Sequence, residues 1–195
     1  RHVPAGLMVI ALAVLVGGMT RPAVDVEEPQ ERATIILAID VSLSMMATDV
    51  DPNRFDAAKT AAVDFVEDLP PQYNVGLVSF AGYASIVVPP SKDRSQLSSA
   101  IRGLTLAEAT ATGDAVFASL QAVQQVPADG TGELAPAHVL LLSDGYRTAG
   151  RSIGEAAEAA AAADVPVSTV AFGTDEGLIE LEEQLVAVPV DREAL

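Results

Sequence analysis

Three hard oxygen donors stand at alternate positions in the chain: Asp40, Ser42 and Ser44. In an extended turn that spacing sends alternate side chains to one side, so a carboxylate and two hydroxyls can converge. An all-oxygen set of this kind suits Mg²⁺ or Mn²⁺ rather than zinc or copper. A plainer reading competes with it, a polar loop in which Ser42 or Ser44 caps a helix. A second aspartate, Asp144, ends another apolar run, and Thr110 lies in a polar loop ahead of a helix. Singly, such residues are what caps and turns require. Together they make two carboxylates and three hydroxyls, a set that packing alone does not demand.

The elements that must position these residues are legible around them. Asp40 closes the unbroken apolar run 35–39, the mark of a strand buried on both faces in the middle of a parallel sheet. Asp51-Pro52 predicts a helix start, and Phe55, Ala58, Ala62, Phe65, Val66 and Leu69 follow at helical spacing until Pro70-Pro71. Residues 75–80 read as a second buried strand, and 85–88, stopped by Pro89-Pro90, as a short edge strand. A short helix over 95–104 precedes the Thr110 loop, whose following helix carries Val116, Phe117, Leu120 and Val123. His138 opens a strand over 139–142 that ends at Ser143-Asp144-Gly145. Ser152 and Glu155 form a capping box for an alanine-rich helix, and 165–172 is the last clear strand. This alternation predicts an α/β fold, a doubly wound, mostly parallel sheet with helices on both faces. In such sheets ligands gather at the carboxyl ends of the strands, where Asp40 and Asp144 both stand.

Composition removes several classes of function. With 11 basic and 27 acidic residues the net charge is −16, which argues against nucleic-acid binding through a basic face. Cysteine is absent, which excludes disulfides and thiolate metal sites. Two histidines, His2 and His138, leave little room for a Ser-His-Asp hydrolase or a histidine-rich zinc site.

Residues 3–20 are 18 consecutive uncharged positions, which as a helix span ~27 Å, close to the hydrocarbon core of a bilayer. We therefore expect a transmembrane helix over residues 1–21, a linker over 22–32 and a folded domain over 33–195. A signal peptide competes with the membrane helix, but the apolar stretch is long for one and Thr20-Arg21-Pro22 is a poor cleavage site. Arg1 on the near side, against the acidic Asp25, Glu27, Glu28 and Glu31 beyond, favours a domain outside the cytoplasm.

The segments D-V-S-L-S-M at 40–45, T-A-T-G-D-A at 110–115 and L-L-S-D-G at 141–145 resemble the three loops of the metal-ion-dependent adhesion site of von Willebrand factor A domains. A-T-D-V-D-P-N-R at 47–54 and G-L-V-S-F-A-G at 76–82 resemble the bacterial membrane-anchored, Bat aerotolerance-like branch, including uncharacterised actinobacterial membrane proteins. The resemblance implies a metal site made of Asp40, Ser42, Ser44, Thr110 and Asp144, holding Mg²⁺ or Mn²⁺ with one position open to an acidic residue of a partner protein. It also implies partners such as a MoxR-type AAA+ ATPase or other Bat-like membrane proteins, in complex assembly or stress tolerance. The implied role is binding, not catalysis.

Two positions depart from the pattern: Leu43 stands where the family often has glycine, and Glu108-Ala109 where it often has a glycine pair. Glu108 could add charge to the open position or obstruct it, and Thr112 is the alternative to Thr110. Two rival readings stay open. One is a hydrolase with Asp40 or a metal-bound water as attacking group, though no glycine-rich phosphate loop is present. The other is a structural domain with an empty site. Beyond the last strand, 177–180 and 185–190 predict a small hairpin, and 191–194 the first turn of a helix. Family members resembling the chain continue with that helix, an edge strand and a last helix. We accordingly expect a domain truncated at its C-terminus, with an uncovered strip of Val, Ile and Leu on one sheet face.

Overall fold

The computed structural model describes residues 33–126, 135–145, 148–181 and 184–191, with Gly6, Met8 and Ala11 before them. The chain divides into two compact units, Arg1–Gln30 and Glu31–Leu195. Of the first, Gly6, Met8 and Ala11 are described, each helical and exposed. Among the described residues no helix is long and apolar enough to cross a membrane. The membrane helix expected over 3–20 lies almost wholly outside them, as does the helical turn expected at 191–194.

In the second unit the apolar run becomes β1 (Thr34–Asp40), the centre of a five-stranded sheet. Its alternate residues enter two different cores. Leu37 and Ile39 join Phe55, Ala58 and Val66 on one face, while Ile36 and Ala38 join Val78, Phe80 and Leu141 on the other. Burial on both sides is why the run contains no polar break. The first of these faces is covered by α1 (Arg54–Asp68) and α2 (Arg94–Arg102), the second by α3 (Thr112–Val123).

Neighbours in the sheet follow the order β3-β2-β1-β4-β5, with β2 (Asn74–Phe80), β4 (Ala137–Ser143) and β5 (Val167–Ala171) parallel and β3 (Ala84–Ser91) antiparallel at one edge. From β1 the chain moves outward to β2, and from β4 it moves the other way through α4 (Ile153–Ala162) to β5. The winding therefore reverses between β1 and β4. The carboxyl ends of these two strands, called the crevice below, are the place where doubly wound sheets take ligands.

Local features differ from expectation at four points. Helix α1 starts at Arg54 with Asn53 as its cap, accepting from the Asp56 amide at 2.8 Å, while Asp51-Pro52 forms a cis peptide ahead of it. Phe65 is 36% exposed and Val63, which flanks the apolar stripe on its other side, is 7% exposed. Leu97 and Ile101 of α2 share a core with Val63 and cover that flank. Strand β3 runs through Pro89-Pro90 to Ser91, because its register against β2 shifts there and an edge strand needs no donor on its outer side. Strand β5 is shorter than read, and beyond it the chain forms the antiparallel pair β6 (Leu178–Leu181) and β7 (Gln184–Ala187), the expected hairpin. Four consecutive residues of β5 are exposed, Ser168, Thr169, Val170 and Ala171, a mixed polar and apolar set.

Candidate metal-binding site

Register places the site. Ile39 lies opposite Leu142, so Asp40 and the Ser143-Asp144 pair emerge side by side from adjacent parallel strands. Asp40, Ser143 and Asp144 are fully buried, and Ser42 and Thr110 nearly so. The Asp40 carboxylate accepts at both oxygens, from the Ser42 amide at 2.8 Å and from the Ser143 hydroxyl at 2.5 Å. The Ser42 and Ser44 hydroxyls meet at 2.9 Å, on either side of the start of a 3₁₀ turn at Leu43–Met46. Ser42 occupies the cap position of that turn, yet its side chain makes no cap bond. Its hydroxyl is thus turned toward Ser44, where the plain capping reading would have it bound to backbone.

The third segment runs alongside. The Ala107 amide donates to the Val41 carbonyl at 2.7 Å, and Ala107 bridges to Ser42. Thr110 is fixed by its backbone: its amide donates to the Thr148 hydroxyl at 2.8 Å, and its carbonyl accepts from the Thr148 and Ala149 amides. Thr112 is placed differently. It begins α3, and it lines a cavity of about 190 Å³ with Leu141, Ile153 and Ala156, its buried hydroxyl without a partner among the described residues. Ala109 holds φ at 64°, the left-handed region that favours glycine. Glu108 is exposed, and its carbonyl accepts from Gly82.

Electrostatics set the site apart. Burial pushes the Asp40 carboxyl up to about 7, and the nearby Asp144 charge adds to the rise, against the lowering effect of the Ser143 and Ser42 hydrogen bonds. Asp144 faces Arg54, itself fully buried, at 3.2 Å. Arg54 also grips Asp49 through two bonds of 2.7 Å, and these hold the Asp49 carboxyl well below the usual carboxylate range.

A hard dication fits this donor set. Two buried carboxylates and the Ser42 and Ser44 hydroxyls are all oxygen, the donor type that Mg²⁺ and Mn²⁺ prefer. Among the described residues no three Asp, Glu or His side chains gather into a metal-binding group, so the two carboxylates would need hydroxyl, carbonyl or water oxygens beside them. Ser143, Arg54, Asp49 and Thr148 were not anticipated. Ser143 sits one position before a predicted ligand, which was a usable signal. For Arg54, at a helix start, nothing in its own residue type announces burial.

The family model for the von Willebrand factor type A domain matches residues 35–147. The chain belongs to that family. A UPF0353 protein of Mycolicibacterium gilvum is 44% identical across the whole of this chain, and one of Mycobacterium bovis is 41% identical. The chain spans 61% of the length of each of these relatives. Among solved structures, BatB from Bacteroides thetaiotaomicron, described as a conserved hypothetical protein, aligns with a TM-score of 0.72 at 25% identity, covering 83% of this chain and 82% of that one. An aerotolerance-related membrane protein from Bacteroides fragilis aligns with a TM-score of 0.73 at 20% identity over 83% and 84% of the two chains, a likeness of fold. This A-type domain thus has the family's sheet, and the three loops that carried the resemblance meet at one end of it.

Proposed function

We propose that this A-type domain binds Mg²⁺ or Mn²⁺ through Asp40, Ser42, Ser44, Thr110 and Asp144, and captures an acidic side chain of a partner protein at that cation. The observation that carries the reading is the pair of buried carboxylates at adjacent strand ends, one of them held near pH 7 by burial. A bound dication supplies positive charge to that pair and a position for an incoming carboxylate. Asp40 and Asp144 hold the charge, Ser42 and Ser44 offer neutral oxygens, and Ser143 fixes the Asp40 carboxylate.

A binding role is preferred to hydrolysis because the chain has no glycine-rich phosphate loop and His138 sits at the opposite end of β4, bonded to Ser168, which leaves only carboxylates to act as base. The apolar segment 3–20 and the membrane-protein description of a structural neighbour support anchoring at the bacterial inner membrane. We propose that the partner is a MoxR-type ATPase or a companion Bat-like membrane protein.

The test is a pull-down from membranes with the full chain. A partner retained with Mg²⁺, released by EDTA and absent with Asp40→Ala supports the proposal. Retention unaffected by either change contradicts it, and turnover of a hydrolysable ester or phosphate would favour the enzymatic reading.

A further inference from the structure

Arg54 does more than neutralise a carboxylate. Its guanidinium divides between the crevice and the segment that follows β5. Toward the crevice, Nη1 donates to Asp144 Oδ2 at 3.2 Å. Toward the other side, Nη2 donates to the Val188 carbonyl at 2.9 Å and the Thr174 carbonyl at 3.4 Å. Asp49 steadies the fork, and it also accepts from the Thr174 amide and hydroxyl at 2.6 and 2.9 Å.

The hairpin segment closes on this group so tightly that side chains are excluded. A Cβ at Gly177 would lie 1.9 Å from Arg54 Nη2, and one at Gly173 would lie 2.3 Å from Nε. The same segment touches the crevice elements twice more. The Asp191 amide donates to the Asp144 carbonyl at 2.9 Å, and Ile179 and Val188 pack on Ala47, just after the Ser42–Ser44 turn.

A buried ion pair adds little net stability compared with apolar packing, so stability alone is a weak reason for a guanidinium here. Its planar fork can instead fix two elements relative to each other, which a single apolar contact cannot do. We infer that Arg54 is the positioning residue through which the β6–β7 segment sets the Asp144 carboxylate, so that docking of residues 173–181 and 184–191 and the arrangement of the crevice are one coupled event. The effect on metal affinity rests on the function proposed above; the coupling itself does not.

The test uses Gly177→Ala in the full chain, whose Cβ displaces the guanidinium and also presses on the Val188 carbonyl at 2.8 Å, a contact common to both backgrounds, without touching a candidate ligand. Gly154→Ala, where a Cβ meets nothing within 4 Å, is the control. Coupled groups show non-additive effects, and we expect Gly177→Ala to weaken Mg²⁺ binding about tenfold by calorimetry, with the control unchanged. In an Arg54→Lys background, which keeps the charge but has no fork to displace, Gly177→Ala should add less than about a twofold change. An equal loss in both backgrounds, or no loss with Arg54 present, overturns the inference, since a merely structural substitution would act alike in both.

If the wild-type chain binds no Mg²⁺, the metal reading fails and the coupling is judged in its absence. Asp144→Asn should then speed amide exchange at Val188 and Val190, whose amides hold the hairpin segment together, by about tenfold, and should not do so beside Arg54→Lys. Unchanged exchange with Arg54 present would overturn it.

Discussion

Asp40→Asn should make the metal-free protein more stable at neutral pH, although it removes a central candidate ligand. The unfolded carboxyl titrates near 3.8 and the folded one near 7. Between those values the folded state holds the extra proton, so stability falls as pH rises through the window and the full cost is present above pH 7. A rise from 3.8 to about 7 corresponds to about 4 kcal/mol. Asparagine keeps the shape and does not ionise, and the Ser143 hydroxyl can turn to accept from it. In EDTA, urea denaturation should show the variant gaining about 3 kcal/mol over wild type between pH 5 and pH 7.5. Asp49 does not interfere: its carboxyl is lowered, so its contribution is lost only as pH falls below the ordinary carboxylate range. An offset that is the same at both pH values would show that folded Asp40 takes up no proton, and would remove the electrostatic strain on which the site is argued.

Ser143→Ala removes a hydrogen bond that lowers the Asp40 pKa, so the upper end of the pH window over which metal-free stability declines should move upward, as followed by the same denaturation series. Ala109→Gly relieves a left-handed residue and should stabilise the domain by up to about 1 kcal/mol in urea melts; a loss would place Ala109 elsewhere. Gly113→Ala sets a Cβ 2.3 Å from the Arg151 carbonyl oxygen and should cost on the order of 2 kcal/mol or more, read as a lowered melting temperature. A chain beginning at Ala33 should keep the cooperative melt of the full chain, because residues from Glu31 onward form their own compact unit.

Much of this could be read from the residues because local patterns did the specifying. An apolar run with no polar interruption, as at 35–39, is compatible with a central strand, and its terminal Asp40 then falls at the sheet's carboxyl end. The Ser152–Glu155 capping box is local chemistry, and it forms as read. What could not be read depends on contacts distant in sequence. Phe65 and Val63 flank the same helical stripe, and only the placement of α2 decides between them. Arg54 owes its burial to Asp49, Asp144 and Val188, partners as many as 134 residues away. Thr110 and Thr112 stand two residues apart, and it is the packing of α4, distant in sequence, that encloses Thr112 in a cavity with Ile153 and Ala156. Strand β3 passes through two prolines because its outer side has no neighbour, a fact of topology that local propensity does not contain.

The most direct test of the metal-bridge account is calorimetric titration of Mg²⁺ into the metal-free full chain at pH 7.5, beside Asp40→Ala. A single site should saturate in the wild type, with a raised melting temperature, and both should be lost in the variant. No binding heat and no thermal shift in the wild type, or an equal response in Asp40→Ala, would contradict it.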